Sequence, residues 1–143
     1  MRKFNKLFIL ISIILLSISC MGCKSDYESF IDQFDLEDEK IEWDGDINDP
    51  LITGDAINVT LKKAKGYLEV KLSDFGLDNA LGMKYIYDLS SFNKLSNTGN
   101  WRQIIRIYLK SESRDKLLET IRKVEQLEFV KKVEPEFFVT GDV

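Results

Sequence analysis

The sequence predicts an α+β domain that follows an export segment and an acidic spacer. Three observations carry this. Ile57, Val59 and Leu61 alternate with Asn58, Thr60 and Lys62, the period of two expected of a strand with one buried face. Trp101 to Lys110 (WRQIIRIYLK) alternates in the same way, with Ile105, Ile107 and Leu109 on one side and Arg106 and Tyr108 on the other. Between that stretch and the apolar run from Val130 to Phe138, the residues Leu117, Leu118, Ile121, Val124 and Leu127 recur at helical spacing.

The first nineteen residues are excluded from the fold. Arg2, Lys3 and Lys6 form a positive n-region, and Leu7 to Ile18 (LFILISIILLSI) is a short uncharged apolar h-region. This is the pattern of a secretory signal. Leu16-Ser17-Ile18-Ser19-Cys20 resembles the bacterial lipobox, in which the cysteine is lipidated and becomes the new N-terminus. Ser17 stands where leucine is usual. Cys23 is the competing acceptor, but Cys20 would then occupy that same position, a poorer fit. The expectation is lipidation at Cys20, with the chain held on the extracytoplasmic face of the cell membrane. The other readings are an uncleaved anchor or plain secretion. The uncharged run from Leu7 to Cys23 is shorter than the roughly 20 residues a spanning helix needs. With its only two cysteines at this junction, the domain has no disulfide to hold it.

Residues 20 to 54 read as an acidic tether. From residue 26 to 49, Asp26, Glu28, Asp32, Asp35, Glu37, Asp38, Glu39, Glu42, Asp44, Asp46 and Asp49 face a single Lys40, and like charges extend a chain. Tyr27, Phe30, Ile31, Phe34, Leu36, Ile41 and Trp43 are interleaved, and Phe30, Ile31 and Phe34 suit a short docking helix. Residues 55 to 143 make the domain, in which basic and acidic side chains nearly balance. The excess of acid in the exported part argues against nucleic acid as a partner.

Within the domain, the strand at Ile57 is followed by a second extended patch, Tyr67 to Leu72. Ser73-Asp74-Phe75 opens a short helix that Gly76 and Gly82 weaken, and Met83 to Leu89 is a β-prone stretch. Residues 90 to 100 (SSFNKLSNTGN) are a loop. Ser113 is a good N-cap and Asp115 suits the first helical turn. Pro135 in the last strand marks it as an edge. Strands 101–110 and 130–139 are expected in one sheet, adjacent or separated by one strand.

Chemistry is sparse. The chain contains no histidine, which removes Ser-His and Cys-His pairs and the commonest zinc ligand. No glycine-rich phosphate loop is present, so neither an enzyme nor a cofactor is expected. Asp44-Gly45-Asp46-Ile47-Asn48 is similar to the start of an EF-hand loop, but Asp49 stands where that loop needs Gly, the seventh position is Pro50, and Asp55 stands where it needs Glu. It reads as an acidic turn, and no metal site is assigned. Arg102, Arg106 and Tyr108 lie on the strand face opposite the apolar one, and Arg and Tyr favour protein interfaces.

Val130-Lys131-Lys132-Val133-Glu134-Pro135, directly after a helix, resembles the end of the subtilisin propeptide and proteinase-inhibitor domain. Ile57 to Lys63 looks like its opening strand. Leu72-Ser73-Asp74-Phe75 and Tyr87-Asp88-Leu89-Ser90 resemble its middle. The resemblance spans about residues 55 to 139. It implies a ferredoxin-like βαββαβ two-layer sandwich, an antiparallel sheet with two helices on one face. It implies a protein partner on the open sheet face, specifically a subtilisin-like protease inhibited or chaperoned in trans. The tail Phe138, Val139, Thr140, Gly141, Asp142 and Val143 would then enter the cleft, although it is short for that reach. A non-inhibitory surface scaffold of unknown partner is the alternative, since one fold serves many functions.

Overall fold

The computed structural model describes residues 25–65, 69–87, 102–111 and 113–138. The expected signal segment, Cys20, Cys23, the expected loop at 90–100, Trp101 and the tail 139–143 lie outside the described residues. No helix among the described residues is long and apolar enough to cross a membrane. The chain divides into two units, residues 1–30 and 31–143. Of the first, the described part is the start of helix α1 (Asp26–Ile31), whose opening turn is capped by Ser25, with the Glu28 N–H donating to Ser25 Oγ. The second unit carries the rest of the fold.

Its centre is a four-stranded, wholly antiparallel sheet in the order β2-β3-β1-β4, formed by β1 (Ile52–Leu61), β2 (Ala80–Tyr87), β3 (Ile104–Leu109) and β4 (Val130–Phe137). The predicted alternation sets the register. Ile57 lies opposite Ile107 and Val59 opposite Ile105, with Val133 of β4 on the far side of Val59. All five are fully buried. Helix α2 (Arg114–Glu125) packs across β4 and β1. Ser113 caps it, its Oγ accepting the Lys116 N–H, while Asp115 and the Arg122–Lys123 pair sit at the dipole ends they favour. Leu117, Ile121 and Val124 close the core against the sheet. Burying such side chains stabilises by about 1.5–3 kcal/mol each.

The expected fold class holds at the level of an α+β, two-layer arrangement. Several finer expectations shift. The strands expected at 101–110 and 130–139 do share a sheet, separated by β1, and Pro135 does lie on an edge strand. The short helix expected from Ser73 is one turn of 3-10 helix, Leu72–Phe75. It is ended by Gly76, whose φ of 59° is the left-handed conformation that favours glycine. Helix α2 stops at Glu125, so Leu127 falls beyond it and is half-buried. Leu118, one position round from Leu117, rides the helix shoulder and is half-buried too.

The largest correction concerns the acidic segment. From Ile31 onward it is laid on the domain instead of standing free. Phe34 is 3% exposed and bridges to Ala64, its ring 5.6 Å from that of Phe129, which in turn meets Phe75 edge-on. The Asp35 and Lys65 amides donate to the Lys63 and Gln33 carbonyls. Ile41 then bridges in parallel to Lys132 on the outer edge of β4, its N–H donating to the Lys131 carbonyl. Trp43, also buried, seats its indole over Gly45. The interleaved aromatics account for this. An extended stalk would leave Phe34 and Trp43 in water, whereas the domain's edge takes them both and is itself protected from stray strand pairing.

Candidate protein-binding face

Helix α2 covers one face of the sheet. Among the described residues, no element covers the other. The register builds that open face as a row across all four strands, with Lys84 opposite Arg106, Arg106 opposite Asn58 and Asn58 opposite Glu134. Arg106 Nε donates to Asn58 Oδ1 at 3.3 Å, and its guanidinium pairs with Glu136 Oε1 at 2.8 Å. Lys132 pairs with Glu134 at 2.7 Å. Beside this row Tyr108 is 39% exposed. On the edge strand β2, Leu81 and Ile86 are exposed as well. The face is thus a charged centre held flat by its own ion pairs, with an aromatic side chain standing beside it. That combination suits protein contact, because Tyr and Arg are enriched at protein interfaces.

Of the residues the sequence singles out, Arg106 and Tyr108 lie on this face. Phe138 lies just past β4, 62% exposed, with its N–H donating to the Leu51 carbonyl. Val139 to Val143 fall outside the described residues. Arg102 lies before the start of β3 and is engaged in an ion pair. Its guanidinium makes a bidentate pair with Asp38, Nε to Oδ2 and Nη2 to Oδ1, both at 2.9 Å. Strand parity alone places Arg102 with Arg106, but β3 begins only at Ile104, so parity no longer governs it.

Asp38 is the hub of a second constellation that the sequence does not announce. Besides Arg102 it accepts from Lys131 Nζ and from the Lys63 amide. Burial by itself raises the Asp38 pKa, but the hydrogen bonds from Lys131 and Arg102, the Lys63 amide and the Arg102 charge outweigh this and hold it below the usual carboxylate value. Nearby, Lys40 Nζ donates to the Glu125 and Leu127 carbonyls, closing the C-terminus of α2. The buried Glu125 accepts the Trp43 N–H at 2.7 Å and pairs with Arg122. These groups are committed to one another, an arrangement that holds structure. One signal was available in the sequence. Tryptophan is out of place in a solvated stalk.

In the EF-hand-like turn, the Asp46 and Asp49 carboxylates accept the Asn48 and Leu51 amides, both at 2.9 Å. No group of three His, Cys, Asp or Glu side chains is disposed to hold an ion among the described residues. An open pocket of about 500 Å³ lies between Phe34, Leu36 and the Lys63–Lys65 segment, and Lys65 Nζ at its wall is bound to the Asp32 carbonyl. No family model, curated protein or solved structure matches this chain.

Proposed function

We propose that this chain is a lipoprotein, tethered through Cys20 to the extracytoplasmic face of the cell membrane, whose domain binds another protein through the open face of its sheet. The observation that carries the reading is the sheet itself. It is covered by a helix on one side and, among the described residues, uncovered on the other, where Arg106 and Tyr108 stand together. The strand order β2-β3-β1-β4, with α2 between β3 and β4, supports the ferredoxin-like βαββαβ arrangement, with the 3-10 turn Leu72–Phe75 in the place of the first helix. In its most specific form the partner is a subtilisin-like protease, which the chain inhibits or helps to fold in trans. The sequence Val130 to Pro135 after α2 supports that form. A binding role also suits a chain without histidine. One observation favours a non-inhibitory scaffold: Arg106 and Lys132 are already paired with Glu136 and Glu134, as on a face adapted to water.

The anchor is tested with a fatty-acid probe, which should label the wild type and Cys23→Ser but not Cys20→Ser. Loss of label in Cys23→Ser alone would move the anchor to Cys23. The partner class is tested with the chain from Lys24 onward, kept whole so that Phe34 and Trp43 stay seated, against a subtilisin-type protease. Inhibition that weakens on Arg106→Glu or on deletion of Val139 to Val143 supports the protease reading. Prompt digestion that leaves the protease unslowed refutes it and leaves the scaffold.

A further inference from the structure

We infer that the partner of the open face is a second copy of this chain, docked face to face about a two-fold axis that runs parallel to the strands between β3 and β1. This rests on the protein-binding reading above and names its partner. The argument is one of charge. Across the sheet order β2-β3-β1-β4, the middle row of the face runs Lys84, Arg106, Asn58, Glu134. The β2–β3 half of that row is basic. The β4 half carries Glu134 and Glu136 against Lys132, so its balance is acidic. Lys84 is exposed, and among the described residues no carboxylate pairs with it. The face therefore offers an unspent cation at one edge and two carboxylates at the other.

A patch that binds its own copy must be self-complementary under a two-fold operation. An axis along the strands lays β2 on β4 of the copy and β3 on β1. Lys84 of each then faces Glu134 of the other, and Arg106 faces Asn58. An axis across the strands would lay Lys84 on Lys84 and Glu134 on Glu134, which like-charge repulsion opposes. The flanking rows obey the same operation. Tyr108, opposite Ala56 within its own sheet, comes over Ala56 of the copy, and Ile104, opposite Thr60, comes over Thr60. Each sets a large side chain against a smaller one, so the layers interdigitate at the spacing of about 10 Å that stacked sheets keep. The pairs Arg106–Glu136 and Lys132–Glu134 stay intact within each copy. Four strands at about 4.8 Å, each about seven residues long at about 3.3 Å, make a face of roughly 450 Å². A standard interface buries about 800 Å² per partner, so this dimer should dissociate on dilution.

Charge exchange tests this in sedimentation equilibrium at low salt, with the chain from Lys24 onward, which keeps every described residue. Lys84→Glu alone or Glu134→Lys alone sets like charge on like across the axis and should raise the dissociation constant about tenfold or more. An equimolar mixture of the two variants should recover the wild-type constant, because both crossings of the mixed dimer then join Glu to Lys. Contact within one chain cannot produce that recovery, since each variant carries the same sign at both positions. A wild type that stays monomeric up to about 1 mM, or single variants that associate as the wild type does, would overturn the inference. So would a mixture no tighter than its components when circular dichroism shows both to be folded. A second measurement needs no charge variant: a photo-crosslinking amino acid at residue 108 of the full chain in its native membrane. An adduct of twice the chain's mass supports the dimer. An adduct of another mass overturns it and leaves the protein-binding reading standing, and no adduct at all removes both.

Discussion

Asp38 shows how one side chain changes meaning between sequence and structure. In the sequence it is one of eleven acids in a run. In the fold its carboxylate joins Arg102, Lys131 and the Lys63 amide, partners 25 to 93 residues away. No local pattern encodes such distances, so charge composition suggested repulsion where the structure has pairing. Asp38→Asn should lower stability by about 1–3 kcal/mol in urea unfolding, because two cations lose their partner. Its pKa is lowered in the folded state, so its contribution is fully present above the ordinary carboxylate value of about 4 and lost as pH falls through the folded value. The wild type should therefore lose more stability than Asp38→Asn between pH 5 and pH 3. Gly45 makes a second prediction. A Cβ there would lie 2.7 Å from the Trp43 indole, so Gly45→Ala should cost about 1–3 kcal/mol and shift Trp43 emission to the red.

At the scale of elements the sequence was most informative where periodicity is strict. The alternation at Ile57–Leu61 and Ile105–Leu109 and the helical repeat Leu117–Ile121–Val124 all face the core they were expected to face. Ile121, fully buried, should lose about 2–5 kcal/mol on truncation to Ala. Glu119, on the opposite side of the same helix, should change stability by less than about 0.5 kcal/mol when replaced by Ala. Matched losses at the two positions would put the helix in the wrong phase. Boundaries were less legible. The helix predicted after Ser73 shrinks to one turn because a left-handed glycine follows at Gly76, and the strand expected from Trp101 begins at Ile104. The open face was half legible. Parity found Arg106 and Tyr108, but it could not show that Arg102, beyond the strand's start, turns to Asp38.

For the whole molecule, the domain does not begin where the composition changes. A fragment starting at Pro50 lacks Phe34, Asp38 and Trp43, and it exposes Phe129 and the outer edge of β4. It should unfold at a lower denaturant concentration than the chain from Lys24 and aggregate more readily, as measured by urea titration and light scattering. The same whole-molecule view sets the functional claim, which is that one face of the sheet meets a protein. A photo-crosslinking amino acid placed at residue 108 and, separately, at the exposed residue 119 on α2 tests it in the native membrane. The account predicts a discrete protein adduct from position 108 and none from position 119. An adduct from position 119 with none from position 108 would contradict it.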